Sequence, residues 1–256
     1  MDLKKYGPWA LVIGGSEGVG ESFARKLAAE GFKLVLVARR LAPLNALAED
    51  LRAGGAEVRV LSVDMGRPEA LAQTRAATDD IEVGLLVYNA GAARGMGAFL
   101  DKAADEHLAL INLNCTNQAA FSHHYGNLMR GRGRGGIILV GSTGSFMGVP
   151  GLIGYSGVKA FSRVFTEGLW AECEDAGVDV LHLCLGFLAT PGAIRAGADV
   201  SQAQTCDAAA QAGLDNIANG PIWIPENYLE RVAKRSQLEG RGEAVRGNAI
   251  KVPGMK

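Results

Sequence analysis

Short apolar runs alternate with helical patterns along most of this chain. The runs are nearly continuous in Val, Ile and Leu, as in strands that are covered on both faces of a parallel sheet. They occupy residues 9–13, 34–37, 58–63, 84–88, 137–140 and 178–185. Apolar residues at helical spacing lie between each run and the next. This alternation predicts an α/β protein with a doubly wound parallel sheet and helices on both faces, in three α/β/α layers.

The pattern changes at one place along the chain. Up to Pro191 there is no linker, repeat or shift in composition, and we expect residues 1–256 to form a single domain. From 192 to 225 the sequence is rich in Ala, Gly, Gln and Asp and has weak periodicity. We predict a mobile lid over a functional site there, with a solvated pair of helices as the alternative.

Charge and composition argue against several classes of partner. The chain has 26 Lys and Arg against 27 Asp and Glu, so no overall field attracts nucleic acid or an anionic membrane. No apolar run approaches the roughly 18 residues of a membrane span, and the N-terminus lacks a signal-peptide pattern. The tract RGRGRGG at 130–136 lacks interleaved aromatic residues that would stack on bases, so we favour a connector over an RNA site. We expect a soluble, cytoplasmic protein.

A glycine-rich segment, GGSEGVG at 14–20, follows the first predicted strand. Glycine permits a tight turn and lets backbone N–H groups approach a pyrophosphate at a helix N-terminus. The spacing G-x-x-x-G-x-G differs from the better-known G-x-G-x-x-G, and a purely structural turn is the alternative. Its place in the first strand–helix unit favours a Rossmann-type dinucleotide site. The loop residues expected to contact a cofactor are Gly14, Ser16, Glu17, Gly18, Val19 and Gly20.

The second strand ends in Ala38-Arg39-Arg40, without the carboxylate that usually selects the ribose 2′-hydroxyl of NAD. Arg39 can instead bind the 2′-phosphate of NADP through charge-assisted hydrogen bonds, although a solvated arginine pair is the alternative. Glu17 would repel that phosphate if it pointed the same way. We therefore predict that NADP(H) is preferred and that NAD(H) is possible.

Two further strand ends carry candidate cofactor contacts. Asp64 follows the third strand and can accept from an adenine amino group, with the Met65 N–H adding a contact. Asn89, Ala90 and Gly91 follow the fourth strand, and their small size suits a backbone that passes close to a ligand. Both segments fit ordinary turns equally well.

A phenol and an ammonium lie four residues apart in YSGVK, at 155–159, where an amphipathic helix begins. On a helix this spacing places Tyr155 and Lys159 on one face, one turn apart. An unperturbed tyrosine titrates near pH 10, which is poorly matched to proton transfer at neutral pH. An adjacent ammonium favours the phenolate and lowers that pKa.

Taken together, these segments resemble the short-chain dehydrogenase/reductase superfamily in its common one-domain branch. VARR at the end of the second strand is similar to NADP-preferring hydroxysteroid dehydrogenases and related reductases. The motifs cover roughly residues 6–191 and follow the order of the family: GGSEGVG (14–20), YNAG (88–91), Asn112 in INLN, Ser142 in VGSTGS, YSGVK (155–159) and TP (190–191).

The resemblance implies roles for individual residues. Tyr155 would be the general acid/base that protonates a carbonyl oxygen as hydride arrives, and Lys159 would also hold the nicotinamide ribose. Ser142 would donate to the substrate oxygen. Asn112 would anchor a water that relays protons to Lys159, with the nearby Asn114 as a rival for this role. The loop after the sixth strand would complete the cofactor site with Gly186, Leu188 and Thr190.

The expected activity is reversible hydride transfer between NADP(H) and a carbonyl or secondary alcohol. Apolar residues flank the catalytic positions at 146–153 and 187–188, which suits a lipophilic small molecule, although they can equally be core. Steroid-like, acyl and aromatic ketones remain open. The alternative is a catalytically silent NADP(H)-binding redox sensor. The four cysteines have no metal-ligand spacing, so no metal site is predicted. We expect a homodimer that packs through helix 105–129, or a homotetramer.

Overall fold

The computed structural model describes residues 1–91 and 97–250. Seven parallel strands form one sheet in the order β3-β2-β1-β4-β5-β6-β7. The strands are β1 (Trp9–Ile13), β2 (Lys33–Ala38), β3 (Val58–Ser62), β4 (Val83–Tyr88), β5 (Gly135–Ser142), β6 (Val178–Leu185) and β7 (Ile222–Trp223). The chain reverses its direction of progress through the sheet between β1 and β4, and ligands bind outside the carboxyl ends of the strands at such a switch point.

Helices connect the strands. They are α1 (Leu3–Tyr6), α2 (Gly18–Ala29), α3 (Leu41–Ala53), α4 (Ala70–Arg75), α5 (Ala104–Ile111), α6 (Asn117–Arg132), α7 (Ile153–Cys173), α8 (Pro191–Arg195), α9 (Cys206–Asn216), α10 (Leu229–Ser236) and α11 (Arg241–Gly247). A π-helical turn, Asn112–Thr116, joins α5 to α6. In the described part of the chain, no helix is both long and apolar enough to cross a membrane.

The sheet separates two hydrophobic clusters. Successive side chains of a strand point to opposite faces, so Leu34 packs into one cluster and Val35 into the other. The first cluster contains Phe23 of α2 and Leu44 of α3, and the second contains Phe121 of α6. Helices therefore cover both faces of a parallel sheet, which confirms the predicted three-layer α/β fold.

The predicted lid at 192–225 does not hold as one segment over a site. Ala209 and Leu214 of α9 are buried in the first cluster, and β7 pairs with His182 and Leu183 of β6. The low periodicity of this region reflects the small alanine and glycine residues that let α9 approach α2. Only 192–205, which is largely exposed, remains a candidate lid.

The contact between α9 and α2 depends on Gly213. A Cβ added at Gly213 would lie 2.8 Å from Phe23 Cζ and 2.9 Å from Leu183 Cδ2, both in the core. We expect Gly213→Val to lower the free energy of unfolding by about 1–3 kcal/mol through overpacking. Gly131 of α6 has open space around it, so Gly131→Val should stay within about 0.5 kcal/mol of the parent. Urea unfolding measures both; equal losses would show that this contact is not tightly packed.

Candidate active site

A cavity of about 730 Å³ lies at the carboxyl ends of the strands. Residues that follow or end β1 to β6 all contribute to its lining. The predicted site residues that line it are Gly14, Ser16, Glu17, Gly18, Val19, Arg39, Asp64, Met65, Asn89, Ala90, Gly91, Ser142, Tyr155, Lys159, Gly186, Leu188 and Thr190. Two predicted residues, Gly20 and Asn112, are not part of this lining.

The glycine loop brings backbone atoms close together at one end of the cavity. Gly14 has a φ of 82°, and a Cβ added there would lie 2.9 Å from Ala90 N. Gly20 was predicted to contact the cofactor, but its role here is in packing. A Cβ at Gly20 would lie 2.0 Å from Gly14 O. Gly20 therefore allows α2 to begin against the loop. Asn89 Nδ2 donates to Gly14 O over 3.1 Å and joins the loop to the end of β4.

These contacts leave a backbone-lined cradle at the N-terminus of α2. The helix begins at Gly18 and runs for 12 residues, so its unpaired N–H groups and dipole favour an anion there. A pyrophosphate fits such a cradle, and a side chain at Gly14 would collide with the Ala90 backbone beside it. The residues present thus fit a dinucleotide.

Arginines are placed beside this cradle. Arg39 is exposed, lines the cavity and forms no ion pair within residues 1–91 and 97–250. Arg40 Nη2 lies 2.9 Å from Glu17 Oε1, and Arg195 Nη2 lies 3.1 Å from both carboxylate oxygens. Partial burial raises the pKa of Glu17, but the bonds from both arginines outweigh it and hold the pKa below its usual value. No local pattern in the sequence indicates that Glu17 pairs with these two arginines.

Lys159 is buried, with 4% of its surface exposed. Its Nζ donates to Val140 O, near the end of β5, over 2.9 Å. Burial lowers the pKa of the ammonium to about 8, because taking a charge out of water favours the neutral form. Tyr155 and Lys159 both lie on α7 and line the cavity. This confirms the prediction that their i, i+4 spacing places them on one face of a helix.

The prediction that Lys159 lowers the pKa of Tyr155 is wrong for the described chain. Lys159 Nζ lies 5.9 Å from the centroid of the Tyr155 ring, and its hydrogen bond goes to Val140. Burial raises the pKa of Tyr155, and the neighbouring Ser142 hydroxyl acts in the opposite direction. Ser142 Oγ itself accepts from Gly144 N over 3.1 Å, which fixes the serine at the start of the next turn.

The structure places Asn114, not the predicted Asn112, beside Lys159. A Cβ added at Gly91 would lie 2.7 Å from Asn114 Oδ1 and 2.8 Å from Lys159 Nζ, so both atoms face the same small space. Asn114 Oδ1 is buried without a hydrogen-bond partner among the described residues, while its Nδ2 donates to Leu110 O. The π-helical turn contains both asparagines and shifts which side chains face the sheet. Regular helical spacing could not reveal that shift.

The C-terminal helices supply contacts that sequence reasoning missed. Tyr228 OH accepts from Phe187 N over 3.0 Å, and its ring lies against Gly186, where a Cβ would approach Cζ to 2.1 Å. Arg235 Nη1 donates to Thr143 O over 3.1 Å, and Arg241 Nη2 donates to Phe146 O over 3.0 Å. These residues therefore hold the two loops that follow β5 and β6. They lie far along the chain from those loops, and no local motif marks them.

The parallel sheet, the glycine cradle and the polar groups at the strand ends define a nucleotide-binding α/β oxidoreductase. A family model described as short chain dehydrogenase matches residues 8–218. The chain belongs to the short chain dehydrogenase family. The predicted resemblance and enzyme class are thereby confirmed.

Relatives and solved structures agree with this assignment. A 7β-hydroxysteroid dehydrogenase from Collinsella aerofaciens is 37% identical over 193 residues, which cover 75% of this chain and 73% of that protein. A solved structure of a 7β-hydroxysteroid dehydrogenase has a TM-score of 0.90 at 30% identity, covering 96% of this chain and 98% of the other. A short-chain dehydrogenase from Sphingobium yanoikuyae in complex with NADPH has a TM-score of 0.78 at 29% identity, covering 97% and 98%.

The two asparagines of the π-helical turn make a matched pair for mutation. We expect Asn114→Ala to lower kcat by about 10- to 100-fold, because it removes the amide oxygen that faces the space beside Lys159 Nζ. Asn112→Ala should change kcat less than about twofold. Steady-state kinetics, with melting temperatures to check folding, measure the difference. A loss confined to Asn112→Ala would restore the assignment made from sequence.

Proposed function

We propose that this dehydrogenase transfers a hydride reversibly between NADP(H) and the carbonyl or secondary alcohol of a bulky hydrophobic substrate. The observation that carries the proposal is a single cavity lined by the glycine cradle, by Arg39 and by Ser142, Tyr155 and Lys159. Cofactor and proton-transfer groups thus share one cavity. The nicotinamide would supply or accept the hydride when the cofactor is bound.

The chain's own residues would handle the proton and the developing charge. Tyr155 would donate its hydroxyl proton to the substrate oxygen during reduction and take it back during oxidation. Ser142 Oγ would donate to the same oxygen and stabilise its negative charge. The Gly144 N–H bond to Ser142 Oγ leaves the serine proton available for this donation.

Lys159 and Asn114 would support the proton donor. A pKa of about 8 leaves Lys159 mostly charged at neutral pH, and its bond to Val140 O fixes the ammonium beside the cavity. From there it would hold the hydroxyl groups of a nicotinamide ribose. Asn114 Oδ1 faces the space beside Nζ and would accept from a water that replaces the proton of Tyr155.

We propose a hydroxysteroid-like substrate in preference to an acyl one. Phe187 and Leu188 line the cavity, Phe187 with about half of its surface exposed, and such aromatic and aliphatic walls suit a rigid apolar body. Met147 and Val149, by contrast, are buried and belong to the packing of the loop. Relatives at 33–37% identity are 7β-hydroxysteroid dehydrogenases, and a relative at 34% from Neurospora crassa is a very-long-chain 3-oxoacyl-CoA reductase.

We also propose a homodimer that packs through α5, α6 and α7. Several large apolar side chains are exposed on these helices, and packing them against a second copy would remove their surface from water. They are Leu108, Ile111, Leu128, Phe161 and Val164. Their positions extend the predicted interface on 105–129 to the outer face of α7.

The cofactor preference rests on Arg39. We expect NADPH to bind at least about tenfold more tightly than NADH, and Arg39→Ala to remove most of that difference by losing a charge-assisted bond. Arg75→Ala, on α4 away from the cavity, is the matched control and should preserve the difference. Fluorescence titration of both cofactors provides the dissociation constants; equal constants in the parent would refute the preference.

The activity rests on Tyr155. A panel of hydroxysteroids, oxosteroids and long-chain 3-oxoacyl thioesters, followed by absorbance of the reduced cofactor, should reveal turnover of the steroids. Tyr155→Phe should reduce kcat by about 10²–10⁴-fold while cofactor affinity stays within about twofold. Turnover of acyl thioesters alone would overturn the steroid proposal. Tight NADPH binding with no turnover of any compound would favour the silent sensor.

A further inference from the structure

The Glu17 carboxylate lies between two guanidinium groups at the edge of the cofactor cavity. It contacts Arg40 at the end of β2 and Arg195 at the end of α8, with nitrogen–oxygen distances of 2.9 and 3.1 Å. The two bonds to Arg195 engage both carboxylate oxygens. Glu17 thus joins the glycine loop to two segments that are remote from it in sequence.

The location of these ion pairs at the cavity matters more for function than their contribution to the stability of the fold. All three side chains are partly exposed, at 34% for Glu17, 52% for Arg40 and 58% for Arg195, so each pair contributes little to folding. Glu17, Arg39 and Arg40 nevertheless line the same cavity. The end of β2 is where this type of fold distinguishes a ribose 2′-hydroxyl from a 2′-phosphate.

We infer that Glu17 is a specificity-determining residue, which limits the preference for 2′-phosphorylated cofactors by holding Arg40. The inference rests on the proposed NADP(H) function and concerns how strong that preference is. A 2′-phosphate would have to separate Arg40 from Glu17, or be bound by Arg39 alone. A 2′-hydroxyl carries no charge and would not compete with the carboxylate.

Arg195 helps Glu17 to hold Arg40. Because it binds both oxygens of Glu17, it keeps the carboxylate at Arg40 instead of letting it turn into solvent. This competition for Arg40 acts on NADPH and leaves NADH almost untouched.

The test is the ratio of NADPH to NADH dissociation constants in Glu17→Gln, measured by fluorescence titration. The glutamine keeps the shape of the side chain and removes its charge. We expect NADPH to bind about three- to tenfold more tightly, with NADH changed less than about twofold. Glu21→Gln, which removes a charge on the same helix where it pairs with Arg25, should leave both constants unchanged.

A double variant separates competition for Arg40 from general repulsion. In an Arg40→Gln background, Glu17→Gln should lose most of its effect on NADPH, because there is no guanidinium left to release. Glu17→Gln that weakens both cofactors equally, or alters neither, would overturn the inference. A parent that prefers NADH would refute the proposed cofactor, while a ratio of NADPH to NADH dissociation constants that still falls in Glu17→Gln would support the role of Glu17 independently.

Discussion

The Lys159 ammonium is buried beside the cavity and donates a hydrogen bond of 2.9 Å to Val140 O. Burying a cation costs several kcal/mol unless polar groups compensate for the lost water, and the pKa of about 8 reflects that cost. The surrounding structure is shaped to tolerate it. Gly91 leaves room for Nζ, and the π-helical turn brings Asn114 Oδ1 to the same space. The ends of β4 and β5, the π-helical turn and α7 thus meet around this one charge.

At the switch point, the backbone of the glycine loop passes close to the end of β4. Gly14 comes within contact distance of Ala90 where β1 and β4 diverge, and Asn89 ties the two strand ends together. This closeness creates a cradle of N–H groups for a pyrophosphate in the cavity that Lys159 and Tyr155 also line. A dinucleotide spanning the two would place its nicotinamide beside the proton donor, which is why the cofactor and the chemistry can share one space.

Local patterns were sufficient for β1 to β6, but the two-residue strand β7 and the long-range contacts were not predictable. The run 178–185 was recognised with its full bounds because parallel strands buried on both faces read as continuous apolar segments. The sequence did not indicate that Asn114, and not Asn112, lies beside Lys159, because the π-helical turn departs from the regular helical period. The raised pKa of Tyr155, the pairing of Glu17 and the contact of Tyr228 with Phe187 all depend on burial or on partners remote in sequence.

The proposed function requires Tyr155 to exchange its proton beside a bound nicotinamide. In the chain itself, burial holds the phenol's pKa above its ordinary value, and the positive charge of an oxidised nicotinamide ring would lower it. The most direct test is an ultraviolet titration of tyrosine ionisation, parent minus Tyr155→Phe, with and without saturating NADP⁺. The account predicts that NADP⁺ moves this single titration to markedly lower pH. A titration that NADP⁺ leaves unchanged would contradict it.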